Sequence, residues 1–336
     1  MSEKLKIVIP MAGLGTRLRP ITWSRPKQLV TLAGKTVLGH VLSTFETLPN
    51  PKDVEYIFIV GYLGEKIEAY MQEHHPHLNV RYVVQEEMRG QSHAIYLARE
   101  HLQGPMLMVF ADTLIETDLA FLGEEDADIV AWVKPVPDPR RFGVTEIGAD
   151  GLVTRLIEKP KDMHNNLAVV GFYYFKFSED LIAAIETQIE QNTQLKGEFF
   201  LADAVNIMLE RGARMRTQRV DVWLDAGTPD AVLESNHYLL ENGRDNSVTV
   251  DCKDGITLIP PVYIHPSARI KSSVIGPYTS IGANCVVENC LIQDSILESG
   301  AKVSNILLDN SLIGQKALVT GSPNHLNVGD NSAIEF

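Results

Sequence analysis

Residues 5–240 alternate short apolar runs with segments whose apolar residues recur at helical spacing. The early runs are short enough to be buried strands, and they cover Ile7–Ile9, Tyr56–Val60, Val80–Val84 and Met106–Phe110. The helical patterns between them cover residues 37–48, the segment from Glu65 to Met71, and residues 91–102. Strands that alternate with helices favour a mostly parallel sheet covered by helices on both faces. We therefore predict a Rossmann-like α/β domain.

Between residues 129 and 177 the pattern becomes richer in strands. Apolar runs predict strands at Ile129–Val133, Gly143–Ile147, Leu152–Ile157 and Val169–Phe175. The segment Gly148–Gly151 has turn chemistry and predicts a hairpin between two of these strands. After them we expect helices at residues 178–190 and 200–211, a strand at Val220–Asp225, and a helix at Pro229–Leu240.

Beyond about residue 245 the spacing of apolar residues changes to six, as at Ile264 and Ile270 or at Ile275, Ile281 and Val287. A six-residue apolar period favours a left-handed parallel β-helix, in which each turn buries one aliphatic side chain. The register breaks around residues 290–312, so an irregular β tail is the alternative. We divide the chain into a catalytic α/β domain over residues 1–243 and a β-helix domain over residues 244–336. Short β-helices commonly pair with copies of themselves, so we expect a homo-oligomer.

Composition excludes some classes of partner. The chain has 336 residues and a net charge of −13, which disfavours a nucleic acid polymer or an anionic membrane as the main partner. Cys252, Cys285 and Cys290 form no Cys-x-x-Cys pair, which disfavours structural zinc. The sequence contains no signal peptide or membrane-spanning run, so we expect a cytoplasmic protein with free thiols.

A glycine-rich loop follows the first predicted strand. Gly13 and Gly15 leave backbone N–H groups able to face a phosphate, and Arg17, Arg19 and Lys27 add positive charge nearby. The loop lacks the Gly-Lys-Ser/Thr of a P-loop and the third glycine of a dinucleotide-binding fingerprint. Two glycines alone would equally suit an ordinary strand–helix turn.

Two aspartates follow predicted strands. Asp112 comes after Met106–Phe110, and Asp225 ends the string Trp-Leu-Asp that continues as Ala-Gly-Thr-Pro. Each could cap the next helix. Two such carboxylates at strand ends of one α/β domain could instead converge on one Mg²⁺, which takes one or two carboxylates together with water and substrate phosphates.

The full string Gly13-Leu-Gly-Thr-Arg-Leu-Arg-Pro20, with Pro26-Lys27 after it, resembles the signature of the sugar-1-phosphate nucleotidylyltransferases, or nucleoside-diphosphate-sugar pyrophosphorylases. The resemblance covers roughly residues 5–240. The segments Phe142–Val144 and Ala168–Tyr173 are most similar to the long-form glucose-1-phosphate thymidylyltransferases that carry a C-terminal β-helix. Uridylyltransferases share most of these motifs, so the choice between dTTP and UTP stays open.

The resemblance implies a role for each matching position. Arg17 and Lys27 would be catalytic, and Asp112 and Asp225 would bind Mg²⁺. The nucleotide would contact Ala12, Gly13, Gly15, Thr16, Arg17, Gln85, Gly90 and Gln91. The sugar phosphate would contact Gly143, Glu158, Lys159, Val169 and Glu198. His93 receives no catalytic role.

The implied reaction is attack of a sugar-1-phosphate oxygen on the α-phosphorus of a nucleoside triphosphate, which releases pyrophosphate without a side-chain nucleophile. Glucose 1-phosphate is the expected acceptor. The segment Gly90-Gln91-Ser92 differs from the base-reading segment usual in the family, and this difference concerns the choice of base. A non-catalytic binding protein of the same fold is one alternative. A bifunctional enzyme with an added acetyltransferase activity is the other, and His265 and His325 are the histidines available for it in the tail.

Overall fold

The fold is described from a computed structural model, which describes residues 4–322 and Val328. The chain divides into two compact units. Unit 1 contains residues up to Val30 and Lys35–Val232, and unit 2 contains Thr31–Gly34 together with the chain from Leu233 onward. This division falls inside the helix Pro229–Leu239 rather than at the predicted residue 243.

The strands up to residue 225 are β1 (Leu5–Pro10), β2 (Thr31–Leu32), β3 (Lys35–Thr36), β4 (Val54–Val60), β5 (Val80–Val84), β6 (Met106–Val109), β7 (Thr113–Ile115), β8 (Ile129–Pro135), β9 (Gly143–Ile147), β10 (Val153–Glu158), β11 (Leu167–Phe175), β12 (Met215–Arg219) and β13 (Trp223–Asp225). The α-helices are α1 (Val37–Thr44), α2 (Gly64–His74), α3 (Gln91–Leu97), α4 (Ser178–Glu190), α5 (Leu201–Glu210) and α6 (Pro229–Leu239). Short 3₁₀ turns include Thr16–Leu18, Lys27–Leu29 and Phe45–Thr47.

The main sheet of unit 1 has the strand order β10-β9-β11-β6-β1-β4-β5, with β8 joining β11 to β12. Parallel pairing joins β6, β1, β4 and β5, as predicted, and antiparallel pairing adds β9, β10 and β11. The prediction of a Rossmann-like sheet is therefore confirmed. The carboxyl ends of β1, β4 and β5 lie at one edge, where ligands of such sheets bind.

Both faces of this sheet are buried. Ile7 and Ile9 of β1 pack into one core with helices α1 and α2, while Val8 points into a second core with α3, α4 and α5. This alternation follows from the two-residue period of a strand. It explains why the central strands read as continuous apolar runs.

One predicted strand is divided differently in the structure. The segment Val220–Asp225 contains only the short strand β13, and β12 precedes it. Strand β12 has the sequence Met-Arg-Thr-Gln-Arg, which carries no apolar pattern, and it exists because it pairs in parallel with β8. Strand β7 was also missed, since a strand this short is fixed by its pairing with β13 rather than by its own sequence.

Unit 2 contains parallel strands that stack into the predicted β-helix. They are β14 (Thr257–Leu258), β15 (Val262–Ile264), β16 (Arg269–Lys271), β17 (Val274–Ile275), β18 (Thr279–Ile281), β19 (Val286–Glu288), β20 (Leu291–Ile292), β21 (Ile296–Leu297), β22 (Lys302–Ser304), β23 (Leu307–Leu308), β24 (Leu312–Ile313) and β25 (Leu318–Thr320). Within residues 257–320 they form three parallel four-stranded sheets, consistent with a left-handed β-helix. The alternative of an irregular tail is wrong.

The coil length explains the break in the six-residue period. Val262 pairs with Thr279, so the first coil takes 17 residues, whereas Ser280 pairs with Ile296, so the next takes 16. The step between inward residues is therefore five at some corners and six at others. The inward side chains still stack, and Ile275, Ile281 and Ile292 are fully buried.

The segment Thr31–Gly34 belongs with unit 2 because buried polar groups of that unit bind it. The carboxylate of Glu298, only 2% exposed, accepts hydrogen bonds from the backbone N–H of Thr31 at 2.7 Å and from its hydroxyl at 3.0 Å. The side-chain oxygen of Asn236 accepts from the backbone N–H of Ala33 at 3.0 Å. No local pattern in the sequence indicated this long-range attachment.

Within the described part of the chain, every helix is too short or too polar to cross a bilayer. The cysteines are free thiols, with Cys285 and Cys290 buried and Cys252 exposed. The histidine His325 lies outside the described residues. The expected homo-oligomer stays a prediction.

We expect Glu298→Ala to lower the free energy of unfolding of unit 2 by about 3 kcal/mol, because it leaves two part-buried donors of Thr31 without their charged acceptor. The matched control is Glu288→Ala, since Glu288 is exposed at the end of β19. Urea unfolding of the full chain measures both variants. Equal losses in the two would contradict a specific role for Glu298.

Candidate active site

The glycine-rich loop leaves the carboxyl end of β1 at a fixed angle. The N–H of Met11 donates to the carbonyl of Ile59 at 2.8 Å. Ala12 lies so close to Gly61 that a Cβ added to Gly61 would be 2.9 Å from the Cβ of Ala12. Gly15 has a left-handed backbone with φ +61°, and the buried hydroxyl of Thr22 donates to its carbonyl at 2.7 Å. The space beside Gly13 is open, so a ligand can approach the backbone there.

Arg17 and Lys27 reach one place from two short 3₁₀ turns. The ammonium group of Lys27 pairs with the carboxylate of Asp112. The guanidinium of Arg17 lies over Gly227, where a Cβ would be 2.8 Å from Nη2 and 3.0 Å from Oδ1 of Asp225. Thr16 begins the turn that carries Arg17 and is exposed. The two predicted catalytic cations therefore sit beside the two predicted metal ligands.

Strand pairing brings Asp112 and Asp225 together. Strands β7 and β13 pair antiparallel with Asp225 opposite Thr113, and the N–H of Ala226 donates to the carbonyl of Asp112 at 3.1 Å. The Asp225 carboxylate also accepts from the N–H of Gly227 at 2.9 Å. The Asp225 carboxylate thus caps a local turn, while the pairing of β13 with β7 sets Asp225 beside Asp112.

A bulge in β11 holds the segment that carries Asp112. Its register shifts between Val169 and Tyr173, and Gly171 there has φ +82° with the ring of Phe110 where a Cβ would stand. The N–H of Phe110 donates to the carbonyl of Gly171 at 2.9 Å, and the hydroxyl of Thr113 donates to the carbonyl of Val170 at 3.0 Å. The backbone on both sides of Asp112 is therefore anchored to the bulge.

The two carboxyl groups differ in their electrostatics. Burial disfavours the charged form of Asp112, but the ammonium of Lys27, a backbone hydrogen bond and the charge of Arg17 together outweigh it and lower the pKa of that carboxyl. Burial raises the pKa of Asp225, although part of its side chain reaches the surface, and the negative charge of Asp112 raises it further. Arg17 and Lys27 oppose that rise without cancelling it. A divalent cation between the carboxylates would relieve their repulsion.

The donor set suits Mg²⁺ better than a metal held by protein ligands alone. Among the described residues, no group of three or more His, Cys, Asp or Glu side chains could hold a metal ion. Asp112 and Asp225 supply two carboxylates, which matches a cation that completes its shell with water and substrate phosphates. The residues present therefore fit Mg²⁺.

A second cluster forms around Glu158 at the end of β10. A Cβ at Gly143 would lie 3.1 Å from the Glu158 carboxylate, which also lies 3.7 Å from the ammonium of Lys159. That ammonium sits 4.7 Å from the centre of the Phe200 ring. Lys159 has a positive φ of 49°, which turns its side chain out of the strand direction. The Glu-Lys pair thus forms one polar surface with an aromatic edge.

Burial raises the pKa of the Glu158 carboxyl, and the charges of Asp203 and Glu198 raise it further against the effect of Lys159. Glu198 is exposed and follows a tight turn in which Lys196 and Gly197 both have positive φ. Asp203 was missed, because it lies on α5 and nothing in its spacing connects it to Glu158. The sequence analysis found Gly143, Glu158, Lys159 and Glu198 only through the resemblance to the family.

The predicted base-reading residues are largely engaged with one another. The amide nitrogen of Gln85 lies 3.3 Å from the carbonyl of Gly90 and 3.2 Å from Nδ1 of His93. Gly90 packs so tightly that a Cβ would be 2.6 Å from the backbone of Phe199. The side-chain oxygen of Gln91 accepts from the N–H of Leu201 at 3.3 Å. His93 therefore orients Gln85, a contact that sequence reasoning did not find.

Aromatic contacts connect these clusters. The ring of Phe142 lies 5.0 Å from that of Trp223, two residues before Asp225, and the carbonyl of Phe142 accepts from the N–H of Lys159 at 3.0 Å. Val169 of β11 differs from the other predicted sugar-phosphate residues, since its apolar side chain is buried in the core.

Comparison with known proteins gives two family matches. The family described as "Nucleotidyl transferase" matches residues 6–242, and the family described as "GMPPB C-terminal domain" matches residues 258–328. The chain is 30% identical to a glucose-1-phosphate thymidylyltransferase from Streptomyces griseus, over 99% of each protein. It is 31% identical to a protein named bifunctional GlmU from Methanococcus vannielii, over 94% of this chain and 76% of that protein.

A solved structure of UDP-glucose pyrophosphorylase with UDP-glucose superposes on this chain with a TM-score of 0.61 at 21% identity, and the match covers 71% of this chain and all of that one. At that identity the likeness concerns the fold. The family membership rests instead on the family match over residues 6–242 and on the relative that matches over nearly the whole length. The chain belongs to the nucleotidyl transferase family and is an enzyme, a sugar-1-phosphate nucleotidyltransferase.

Proposed function

We propose that this enzyme transfers a nucleotidyl group from dTTP or UTP to a hexose 1-phosphate, most readily glucose 1-phosphate, in a Mg²⁺-dependent reaction that releases pyrophosphate. The observation that supports this most is the meeting of Arg17, Lys27, Asp112 and Asp225 at one edge of the sheet. The name of the Streptomyces griseus relative supports the sugar and the first of the two bases.

Arg17 and Lys27 reduce the electrostatic repulsion between the two anionic substrates. Two polyanions must meet, and at short range their repulsion costs several kcal/mol even at an effective dielectric constant of about 20. Arg17 lies in the exposed glycine-rich loop and binds the β- and γ-phosphates, where it stabilises the charge that develops on the leaving pyrophosphate. Lys27 contacts the reacting phosphates after exchanging its partner Asp112 for them.

Asp112 and Asp225 hold the metal, and Mg²⁺ when bound supplies Lewis-acid polarisation and alignment of the phosphate oxygens. Lys159 binds the sugar phosphate, while Glu158 and Glu198 accept hydrogen bonds from sugar hydroxyl groups. The raised pKa of Glu158 follows from burial, and it suits a carboxyl that faces neutral hydroxyls rather than phosphate. Gln85, oriented by His93 and Gly90 through its amide nitrogen, recognises the base edge with its side-chain oxygen.

The direct test is a matrix of nucleoside triphosphates against sugar 1-phosphates with Mg²⁺, in which released pyrophosphate is measured. The proposal expects dTTP or UTP with glucose 1-phosphate to give the highest kcat/KM. Pyrophosphate release with a purine triphosphate alone would contradict the choice of base.

The Methanococcus vannielii relative favours a second candidate, an enzyme with an added transferase activity. The assay that separates the two is release of free coenzyme A from acetyl-CoA in the presence of an amino-sugar phosphate. Our proposal predicts no release above the rate without enzyme. Saturable release would establish the bifunctional alternative.

Arg17→Ala should lower turnover by about 100-fold or more while the fold is retained, because the loop around Arg17 is held by Thr22 and Gly15 rather than by the guanidinium. Steady-state pyrophosphate release and the melting temperature together measure this. Arg99→Ala is the control, since Arg99 is exposed and stacks on Tyr96 at the end of α3. Full turnover in Arg17→Ala would refute the assigned role.

Asp225→Asn should raise the Mg²⁺ concentration for half-maximal rate by about tenfold or more, since one of the two carboxylates loses its charge. The rate is measured over a Mg²⁺ titration at saturating substrates. Asp221→Asn, which changes an exposed aspartate nearby, serves as the matched control and should titrate like the parent. Identical Mg²⁺ curves for both variants would remove Asp225 from the metal site.

Lys159→Gln should raise the KM for the sugar 1-phosphate by about tenfold or more and leave the KM for the triphosphate nearly unchanged, because only the first substrate loses its ammonium contact. Lys161→Gln is the matched control, two residues along in an exposed segment. A rise in the KM for the triphosphate instead would assign Lys159 to the nucleotide side.

A further inference from the structure

A cavity of about 550 Å³ lies in unit 1 at the amino ends of β4 and β5. The candidate active site follows the carboxyl ends of the same strands, so the cavity belongs to the opposite edge of the sheet. Helix α1, the 3₁₀ turn Phe45–Thr47 and the segment after α2 form its walls. Its volume is in the range of sites for small organic molecules.

The charged residues that line the cavity are mostly basic. We call this group the basic wall, and it consists of Lys35, Lys52, His75 and His77. Among the described residues that line the cavity, Glu46 alone is acidic. A local excess of basic groups stands out in a chain whose net charge is −13. It favours an anion as the occupant.

Another cavity of unit 1 has the opposite character. Its volume is about 410 Å³, and within the described chain its lining contains Glu116, Asp118 and Asp221 against the single cation Arg219. Concave shape by itself therefore does not select basic residues in this protein. The basic wall is a property of the first cavity.

The groups of the basic wall act on one another. Burial lowers the pKa of His75, and His77, His74 and Lys35 lower it further. The ring of His75 lies 6.2 Å from that of His77 and 5.7 Å from that of Tyr70. Lys35 donates a hydrogen bond to the hydroxyl of Ser43 on α1, and both residues line the cavity. A bound phosphate would convert this mutual repulsion into attraction.

The lining also contains a group of apolar residues, beside the polar Ser43, Glu46 and Asn79. We call this group the apolar floor, and it consists of Leu42, Phe45, Val54, Tyr56 and Leu78. Phe45 and Tyr56 are 1% and 3% exposed and meet edge to face with ring centres 6.0 Å apart, so the floor is rigid. Burial and the charge of Glu46 raise the pKa of Tyr56 to about 12, so the phenol stays neutral. Such a floor suits a ring or a hydrocarbon body.

We propose that this cavity is a second ligand site, separate from the catalytic one, that binds a small organic phosphate. The ring or hydrocarbon body of the ligand rests on the apolar floor, and its phosphate binds the basic wall. Neither the reaction nor the family comparisons assign a role to these residues.

The probe is 1-naphthyl phosphate, which carries both features and is neither a triphosphate nor a sugar phosphate. Its fluorescence, titrated with the full-length enzyme, should report one saturable site. The double variant Lys35→Gln/Lys52→Gln should weaken binding by about tenfold or more. The single variant Lys52→Gln should also weaken binding. Because Lys52 is exposed and lies outside the β3–α1 segment, this result would not depend on how the loss of Lys35 affects that segment.

The matched control is Lys302→Gln/Lys316→Gln, which removes two exposed lysines from unit 2 and should bind the probe like the parent. Arg17→Ala should also bind it like the parent, because the site is not the catalytic one. Three results would overturn the proposal: no saturation below about 1 mM, equal weakening in the control, or loss of binding in Arg17→Ala alone.

Discussion

The antiparallel pairing of β7 with β13 is the constraint on which the active site depends. It joins segments more than one hundred residues apart and sets Asp225 opposite Thr113, directly beside Asp112. Both strands are short, and hydrogen bonds from Phe110 and Thr113 to the bulge in β11 anchor the segment that carries β7. The closeness of the two aspartates proposed to bind the metal is thus a product of backbone hydrogen bonds rather than of the aspartates themselves.

The negative charges of Asp112 and Asp225 are balanced by the cations of Lys27 and Arg17. The pKa shifts of the two carboxyl groups are opposite, because Lys27 offsets the effect of burial at Asp112, whereas burial and the negative charge of Asp112 raise the pKa of Asp225. Lys27 neutralises one of them and Arg17 lies against the other, so the site is nearly balanced before any ligand arrives. A site balanced in this way can accept phosphates and a divalent cation together without carrying a large excess charge at any stage.

Motif spacing located most of the candidate site, because Arg17, Lys27, Lys159 and Asp225 each stand in a distinctive string. It could not find Asp203, which influences Glu158 from a helix, or the contact between His93 and Gln85. These depend on the direction of side chains from separate elements. The same holds for the basic wall, whose lysines and histidines come from three separate segments and form no motif.

The sequence by itself determined the alternation of strands and helices, the burial of both faces of the sheet and the stacking of aliphatic residues in the β-helix. All of these follow from the local periodicity of apolar side chains. Only the tertiary structure decided that polar β12 is a strand, that β-helix coils take 16 or 17 residues, and that Thr31–Gly34 joins unit 2 through Glu298. Each of these is fixed by hydrogen bonds between distant segments, and such bonds leave no period in the chain.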